Sequence, residues 1–489
     1  MKPTFQTIQE IHDAFDHKKI SATELAQGYL ARAKASKHNA YLHLSEERAL
    51  AQAKSADAII AQEGKVPRDR MPLLGIPLGI KDVLTIQGVR TTCASKIIAN
   101  YVPPYTATCV ERLERSGAIS LGKLNMDEFA MGGSNENSAY GPVLHPTHPD
   151  RVPGGSSGGS ATAVAADLAF ATLGTDTGGS IRLPASFCGI VGFKPSYGRI
   201  SRYGLIAFGS SLDQVGPMTH TVRDAALLSD IMSGTDPRDS TCANRPAMAT
   251  AKSVTQAPDF KKLRIGIPKE YFVDGVSKEV QKAVGEAIDW YKKQGAELVE
   301  VSLPNTQYAV AVYYIVAVSE ASSNLSRFDG IKFGVRPESA KDAPDPATFY
   351  KRVRGQFGPE VKRRIILGTF ALSSGYYDAY YIQACKVRRL IKNDFDRAFE
   401  KVDLIAAPVS PSTAFKLGEQ VSDPLTMYLN DIFTIPVNLA GLPALSVPCG
   451  KDSSNLSIGL HLIGKPFAED ALLSAAHAFE NAHPGLGRN

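Results

Sequence analysis

Val152-Pro-Gly-Gly-Ser-Ser-Gly-Gly-Ser160 and, after an Ala-rich segment, Gly174-Thr-Asp-Thr-Gly-Gly-Ser-Ile-Arg-Leu-Pro-Ala-Ser-Phe-Cys-Gly189 form the stretch around which this chain is organised. Each half holds a Gly-Gly-Ser turn that runs into a segment of helical character. Glycine lets the backbone reach positive φ and lets a ligand approach the main chain closely. A Gly-rich turn entering a helix also aims unpaired N–H groups at one spot, which suits a negative charge. In the first turn Gly155 precedes Ser156, and in the second Gly178 and Gly179 precede Ser180. Ser180 therefore reads as a nucleophile, with the surrounding N–H groups as its oxyanion hole.

Other Gly-rich motifs fit less well. A phosphate-binding P-loop needs a Lys after its last glycine, and neither turn has one. Gly154-Gly155-Ser156-Ser157-Gly158 satisfies G-x-S-x-G, the nucleophile elbow of α/β-hydrolases. That reading requires a downstream acid and then a histidine, and the available histidines are His220, His461, His477 and His483.

Working outward, the flanks alternate helix and strand. In the N-terminal 60 residues, which read as helical, Ile8, Ile11, His12 and Phe15 share one helix face, and Ser21-Ala-Thr-Glu24 is a capping box for a second helix. Leu73 to Asp82 reads as a buried extended segment closed by Lys81. A lysine there either extends its charged end to solvent or, if desolvated, is neutral enough to act as a base. Thr108–Gly117 predicts a helix, 118–122 a strand, 123–137 a polar Gly-containing loop, 160–168 a helix and 169–174 a strand aimed at the Ser180 turn. Residues 232–262 lack periodicity and read as a surface connector. A β-α-β unit follows over 262–303, then a mostly helical region over 305–400, and buried strands at 402–408, 444–448 and 458–463. The expected fold class is α/β: one large domain with a mixed, mainly parallel central sheet flanked by helices. Its expected parts are an N-terminal helical segment, 1–60, packed on a 61–489 domain that carries the 232–262 connector and a helical substrate-pocket insertion at 305–400.

Composition narrows the function. The chain has 489 residues, 44% hydrophobic and 21% charged, with a net charge of +5. This is ordinary globular composition, and the charge is too small for a dedicated nucleic-acid binder. Six cysteines, at 93, 109, 188, 242, 385 and 449, are scattered with no C-x-x-C, which suits reduced thiols in a cytoplasm rather than a disulfide frame or a zinc site. The early acidic residues Glu10, Asp13 and Asp16 argue against a secretory signal, and the longest apolar run, Tyr308 to Val318, is too short for a membrane span. No metal-ligand cluster is apparent.

Lys81, the Ser156 turn and Asp176-Thr-Gly-Gly-Ser180-Ile-Arg-Leu-Pro-Ala resemble the amidase signature family. Gly88 to Lys96, Gly122 to Met131, Arg199 to Phe208, Ser211 to Gln214 and Ala371 to Tyr380 narrow the resemblance to its glutaminase branch, which serves tRNA-dependent amidotransferases. The likeness runs from about residue 5 to 480. Departures are Val83, Leu144-His-Pro-Thr147 and His220. The resemblance implies a Ser-cisSer-Lys triad, with Ser180 as nucleophile, Ser156 as proton relay on a cis peptide, and Lys81 as base. It also implies an oxyanion hole from the N–H groups of Thr177, Gly178, Gly179 and Ser180. Arg364 and Asp431 would hold the carboxylate and ammonium of glutamine, with the exposed-helix alternative standing for Arg364 and its neighbour Arg363. The ammonia released would convert Glu-tRNA(Gln) or Asp-tRNA(Asn) in a heterotrimer whose other members are the B and C subunits of such amidotransferases. The larger B subunit would bind tRNA, ATP and magnesium, leaving this chain without a cofactor of its own and away from membranes. The rival readings are a stand-alone amidase and a non-catalytic scaffold.

Overall fold

The computed structural model describes residues 5–272, 274–421 and 423–488, so the first four residues of the 1–60 segment lie outside the described residues. Its centre is one sheet of 11 strands. In chain order these are β1 (Tyr41–Leu44), β2 (Pro77–Lys81), β3 (Ile119–Leu124), β4 (Ala171–Asp176), β5 (Val191–Lys194), β6 (Gln214–Thr219), β7 (Arg264–Pro268), β8 (Glu297–Val301), β9 (Leu404–Pro408), β10 (Ala444–Lys451) and β11 (Ser457–Gly464). Across the sheet they run β1-β3-β2-β4-β6-β5-β10-β11-β9-β7-β8.

The sheet is mixed, as the alternation of elements predicts. Parallel pairs form two blocks, β3-β2-β4 and β9-β7-β8. The middle, from β4 through β6, β5, β10 and β11 to β9, is antiparallel, and β1 adds an antiparallel edge. Helical crossovers produce the parallel blocks, while the antiparallel β10-β11 pair needs only a short turn.

Three strands escape the sequence reading. β1 is four half-buried residues inside the segment that reads as helical. β5 is four residues long, and β6 carries Gly216 and Pro217, residue types that interrupt a strand pattern. Gly216 is required there, since a Cβ would lie 2.0 Å from the Phe193 carbonyl oxygen.

The N-terminal helices close one flank. Both open on capping boxes, Thr7–Glu10 and Ser21–Glu24. Ile8, Ile11, His12 and Phe15 are all buried, and His12 Nε2 lies 3.1 Å from the Leu74 carbonyl at the approach to β2. The 232–262 region is largely exposed, with a short helix at Thr250–Ser253. Between β8 and β9, helices at Ala309–Leu325, Pro346–Arg354, Pro359–Ala371 and Gln383–Lys401 stack beside the sheet.

Two features of this frame position the site. β2 and β4 are parallel neighbours, so Lys81 and Asp176 end their strands on the same side of the sheet. Ligands of α/β sheets bind beyond the carboxyl ends of such strands. The two Ser turns then lead into the helices Gly158–Ala165 and Arg182–Cys188, which pack on each other and on the sheet.

Candidate active site

Lys81 is fully buried at the end of β2. Its Nζ lies 2.8 Å from Ser156 Oγ, 2.7 Å from Ser157 Oγ and 2.9 Å from Thr175 Oγ1, with the Thr175 carbonyl at 3.4 Å. All four are neutral oxygens. Burial brings the ammonium down to about 7, against the upward pull of Asp127, Asp176 and Asp213. Those carboxylates have other partners. Asp127 accepts from the N–H groups of Asn135 and Asn137, Asp176 binds Arg182, and Asp213 accepts from Thr177 Oγ1.

Two other buried lysines give the contrast. Lys123 Nζ sits 2.9 Å from Asp82 and 2.8 Å from Thr91 Oγ1, so it is an ion-paired lysine. Burial also brings Lys194 to about 7, but its Nζ meets the backbone carbonyls of Pro195 and Leu442, with no hydroxyl to take a proton from. Lys81 alone of the three combines a lowered proton affinity with serine hydroxyls.

Ser156 follows Gly155 through a cis peptide bond and is fully buried. Its hydroxyl is met by Lys81 and not by a histidine. Of the elbow candidates, His461 Nε2 lies 3.0 Å from Arg182 Nη1, His220 packs edge-on against Phe170, His477 lies 2.9 Å from Asn481 Nδ2, and His483 Nδ1 lies 2.9 Å from the Phe479 carbonyl. The nucleophile-elbow reading of Ser156 is thereby set aside.

Ser180 lies in the turn after β4 and is 7% exposed. Among the described residues its hydroxyl makes no side-chain hydrogen bond, and none to Ser156. Nor do the backbone N–H groups of Thr177, Gly178, Gly179 and Ser180 donate to any protein acceptor among the described residues. Four unspent donors in a row at a sheltered turn are what a developing oxyanion needs. The next N–H, of Ile181, is taken by Asp176 Oδ2 at 3.2 Å.

Asp176 and Arg182 fix this turn. Arg182 is fully buried and binds Asp176 through Nε and Nη2, both at 3.0 Å, and also the Thr434 carbonyl. Burial opposes the Asp176 charge, but Arg182 outweighs it and holds the carboxyl at about 2. The glycines are sterically required. A Cβ on Gly179 would lie 2.1 Å from Asp431 Oδ1 and 2.4 Å from Thr434 Oγ1, and one on Gly178 would lie 2.9 Å from the Tyr313 ring.

Asp431 therefore abuts the Ser180 turn. Burial pushes its carboxyl up to about 7, reinforced by Asp176 and opposed by Arg182, the Thr434 hydroxyl and Arg364, and it makes no ion pair among the described residues. Arg364 is 3% exposed, whereas the Arg363 side chain is 44% exposed, so Arg364 is the inward-facing member of the pair. Its Nε donates to Glu360 at 2.8 Å and its guanidinium stands over Tyr314, Phe208 and Tyr428. Its two Nη groups make no hydrogen bond among the described residues. A cavity of about 150 Å³ opens between Gly132, Ser134, Glu360, Arg364 and Tyr428.

Sequence reasoning missed Asp127, which lies in the segment read as a loop, and the roof residue Tyr313, hidden in an apolar run. The departures are structural: Val83 is buried and accepts from Ile206 N, and His145 Nε2 contacts the Phe187 carbonyl at 2.9 Å. Among the described residues no group of three or more His, Cys, Asp or Glu side chains could hold a metal, and no helix is long and apolar enough to cross a membrane.

Known proteins resemble this chain across nearly their whole length. The Amidase family matches residues 24–473. The A subunit of glutamyl-tRNA(Gln) amidotransferase from Geobacter metallireducens is 55% identical over 479 residues, 97% of each chain. Its counterpart from Carboxydothermus hydrogenoformans is 53% identical over 98% of each chain. Among solved structures, the corresponding amidotransferase chain from Thermotoga maritima is 39% identical with a TM-score of 0.72 over 96% of each chain. A chain of a vestigial complex related to an s-triazine catabolic enzyme is 31% identical with a TM-score of 0.85 over 99% of each chain. The fold, the two serine turns beside the ends of β2 and β4, and these likenesses agree: the chain belongs to the amidase signature family.

Proposed function

We propose that this chain is the glutaminase component of a tRNA-dependent amidotransferase. The observation that carries the reading is a buried carboxyl group at the Ser180 turn, Asp431, with the buried guanidinium of Arg364 near enough for its charge to act on it. Asp431 abuts Gly179 and makes no ion pair among the described residues, while Arg364, paired with Glu360 through Nε, lines the cavity and keeps its Nη groups out of hydrogen bonds among the described residues. A free amino acid brings one charge of each sign, and Arg grips a carboxylate in two-point fashion. The names of relatives 53–55% identical over nearly the full chain support the same assignment.

In the proposed reaction Ser180 Oγ attacks the side-chain amide carbon of glutamine. Its proton passes through Ser156 to neutral Lys81, since a serine hydroxyl both donates and accepts. The oxygen that becomes negative takes up the free N–H groups of Thr177 to Ser180. The C–N bond breaks as the proton held at Lys81 returns through Ser156 to the nitrogen, which leaves as ammonia. Water then attacks the γ-glutamyl ester, and glutamate departs.

The ammonia would serve amidation of Glu-tRNA(Gln) or Asp-tRNA(Asn) on a partner. This chain has no P-loop to activate a carboxylate and no strongly basic, aromatic-interleaved stretch for tRNA. We assign ATP, magnesium and tRNA to the B subunit, with the small C subunit completing a cytoplasmic heterotrimer. Co-expression with candidate B and C subunits, followed by assay of glutamine-dependent amidation of each tRNA, tests this. Stable association and amidation are expected. A chain that never associates and hydrolyses diverse amides alone at full rate is a stand-alone amidase, and one whose Ser180 resists serine-directed electrophiles is a scaffold.

A further inference from the structure

One buried acid in the site remains without a role in the proposed reaction. Asp127 is fully buried beyond the end of β3 and touches neither the substrate cavity nor a cation at hydrogen-bond distance among the described residues. Its carboxylate instead ties down the 132–137 loop, and its backbone reaches the Ser156 turn. Oδ2 accepts from Asn135 N at 2.9 Å and Oδ1 from Asn137 N at 3.0 Å. Its own backbone N–H donates to the Ser156 carbonyl at 3.2 Å. Two glycines exist to admit the carboxylate: a Cβ on Gly155 would lie 2.1 Å from Oδ2, and one on Gly132 would lie 2.3 Å from Cγ.

The consequence reaches both ends of the site. Gly155 N donates to the Gly133 carbonyl at 2.8 Å, so the Ser156 turn and the 132–137 loop are tied together beside this acid. Gly133 in turn faces Asp431, whose Oδ2 would lie 3.5 Å from a Cβ there. Asp127 is also the carboxylate whose charge most favours the protonated form of Lys81, ahead of Asp176 and Asp213, with the Cys93 thiol next. Burial pushes the Asp127 carboxyl up to about 7, opposed by the N–H groups of Asn137 and Asn135 and by the Lys81 charge and reinforced by Glu136, so Asp127 and Lys81 titrate as neighbours.

We infer that Asp127 is a positioning residue that seats Ser156 against Lys81 and, through its charge, sets the pH at which Lys81 becomes available as a base. The inference deepens the proposed glutaminase reading and rests on it. Its mechanical part follows from the hydrogen bonds. An amide in place of the carboxylate would turn an NH₂ toward the N–H of Asn135 or Asn137, losing one bond and repelling the loop. Misplacing a relay by about 1 Å can cost on the order of 10²-fold in rate.

The test measures sulfonylation of Ser180 by phenylmethanesulfonyl fluoride, in which the serine Oγ–S bond forms as fluoride leaves, across pH, read by mass spectrometry, on the full-length chain with its bound partners. This readout is independent of which amide is the substrate. For Asp127→Asn the expected result is a rate lower by roughly 10- to 100-fold, with the acid limb of the profile moved to lower pH because a charge favouring protonated Lys81 is gone. For Asp127→Glu, which keeps the charge but displaces it, the rate falls and the limb stays. A merely structural role would lower rate and thermal stability with the limb unmoved. An unmoved limb in Asp127→Asn, or a native rate in Asp127→Glu, overturns the inference while leaving the glutaminase reading intact. A native chain that is never labelled at Ser180 overturns both.

Discussion

Lys81 Nζ lies 2.8 Å from Ser156 Oγ and faces no carboxylate, whereas Lys123 Nζ, equally buried, lies 2.9 Å from Asp82. Lys123 spends its Nζ on that ion pair. Without one, burial brings Lys81 to about 7, where half of it is neutral at neutral pH. Lys81→Arg is therefore expected to be as damaging as Lys81→Ala, because a guanidinium stays charged and cannot take a proton. Steady-state glutamine hydrolysis by both variants checks this. Near-native activity in Lys81→Arg would reduce Lys81 to an electrostatic partner.

Asp431 gives a second, separable pH effect. Burial pushes its carboxyl up to about 7, and only the ionised form can hold an ammonium. Protons and substrate then compete, so KM for glutamine is expected to rise as pH falls below about 7, while kcat follows Lys81. Asp431→Ala should raise KM for glutamine far more than for a simple amide lacking the amino group. Equal effects on both substrates would reject the role.

Gly179 is a steric prediction. A methyl there would fall 2.1 Å from Asp431 Oδ1. Gly179→Ala must move the acid or the turn, at a cost of about 1–3 kcal/mol, and should abolish activity in a protein that still folds. Thermal unfolding beside a hydrolysis assay separates the two losses, and a native kcat/KM would show that the turn has room the structure denies it.

Much of this was legible beforehand, for identifiable reasons. Strands bounded by turn residues and helices with capping boxes announce themselves locally, as at Ser21–Glu24 and β4. Lys81 could be singled out because it closes an apolar run, but its neutral partners come from residues 75 and 94 positions away. Four-residue strands such as β1 and β5 carry too few side chains to show alternation. The choice between Arg363 and Arg364 is one of helix phase, set by packing against Tyr314 and Tyr428, and invisible in Lys-Arg-Arg. Asp127 looked like a loop acid because the Ser156 turn it meets, where Gly155 leaves room for its carboxylate, lies 28 positions on and comes beside it only in the fold.

Metal should be dispensable for the half-reaction assigned to this chain. The proposed steps use serine, lysine and backbone N–H groups, so glutamine hydrolysis is expected to survive dialysis against EDTA, with amidation of tRNA lost. Loss of glutamine hydrolysis itself on metal removal, restored by a divalent cation, would demand a different chemistry at Ser180.

The central claim, that Ser180 is the nucleophile and Ser156 its relay, is tested most directly by trapping the acyl-enzyme. Rapid acid quench of the protein turning over glutamine, followed by peptide mass spectrometry, should find a γ-glutamyl ester on Ser180. Ser180→Ala should lose the adduct together with activity, a loss that can reach about 10⁶ in kcat for a serine hydrolase. An ester on Ser156, or an active Ser180→Ala protein, would contradict the account.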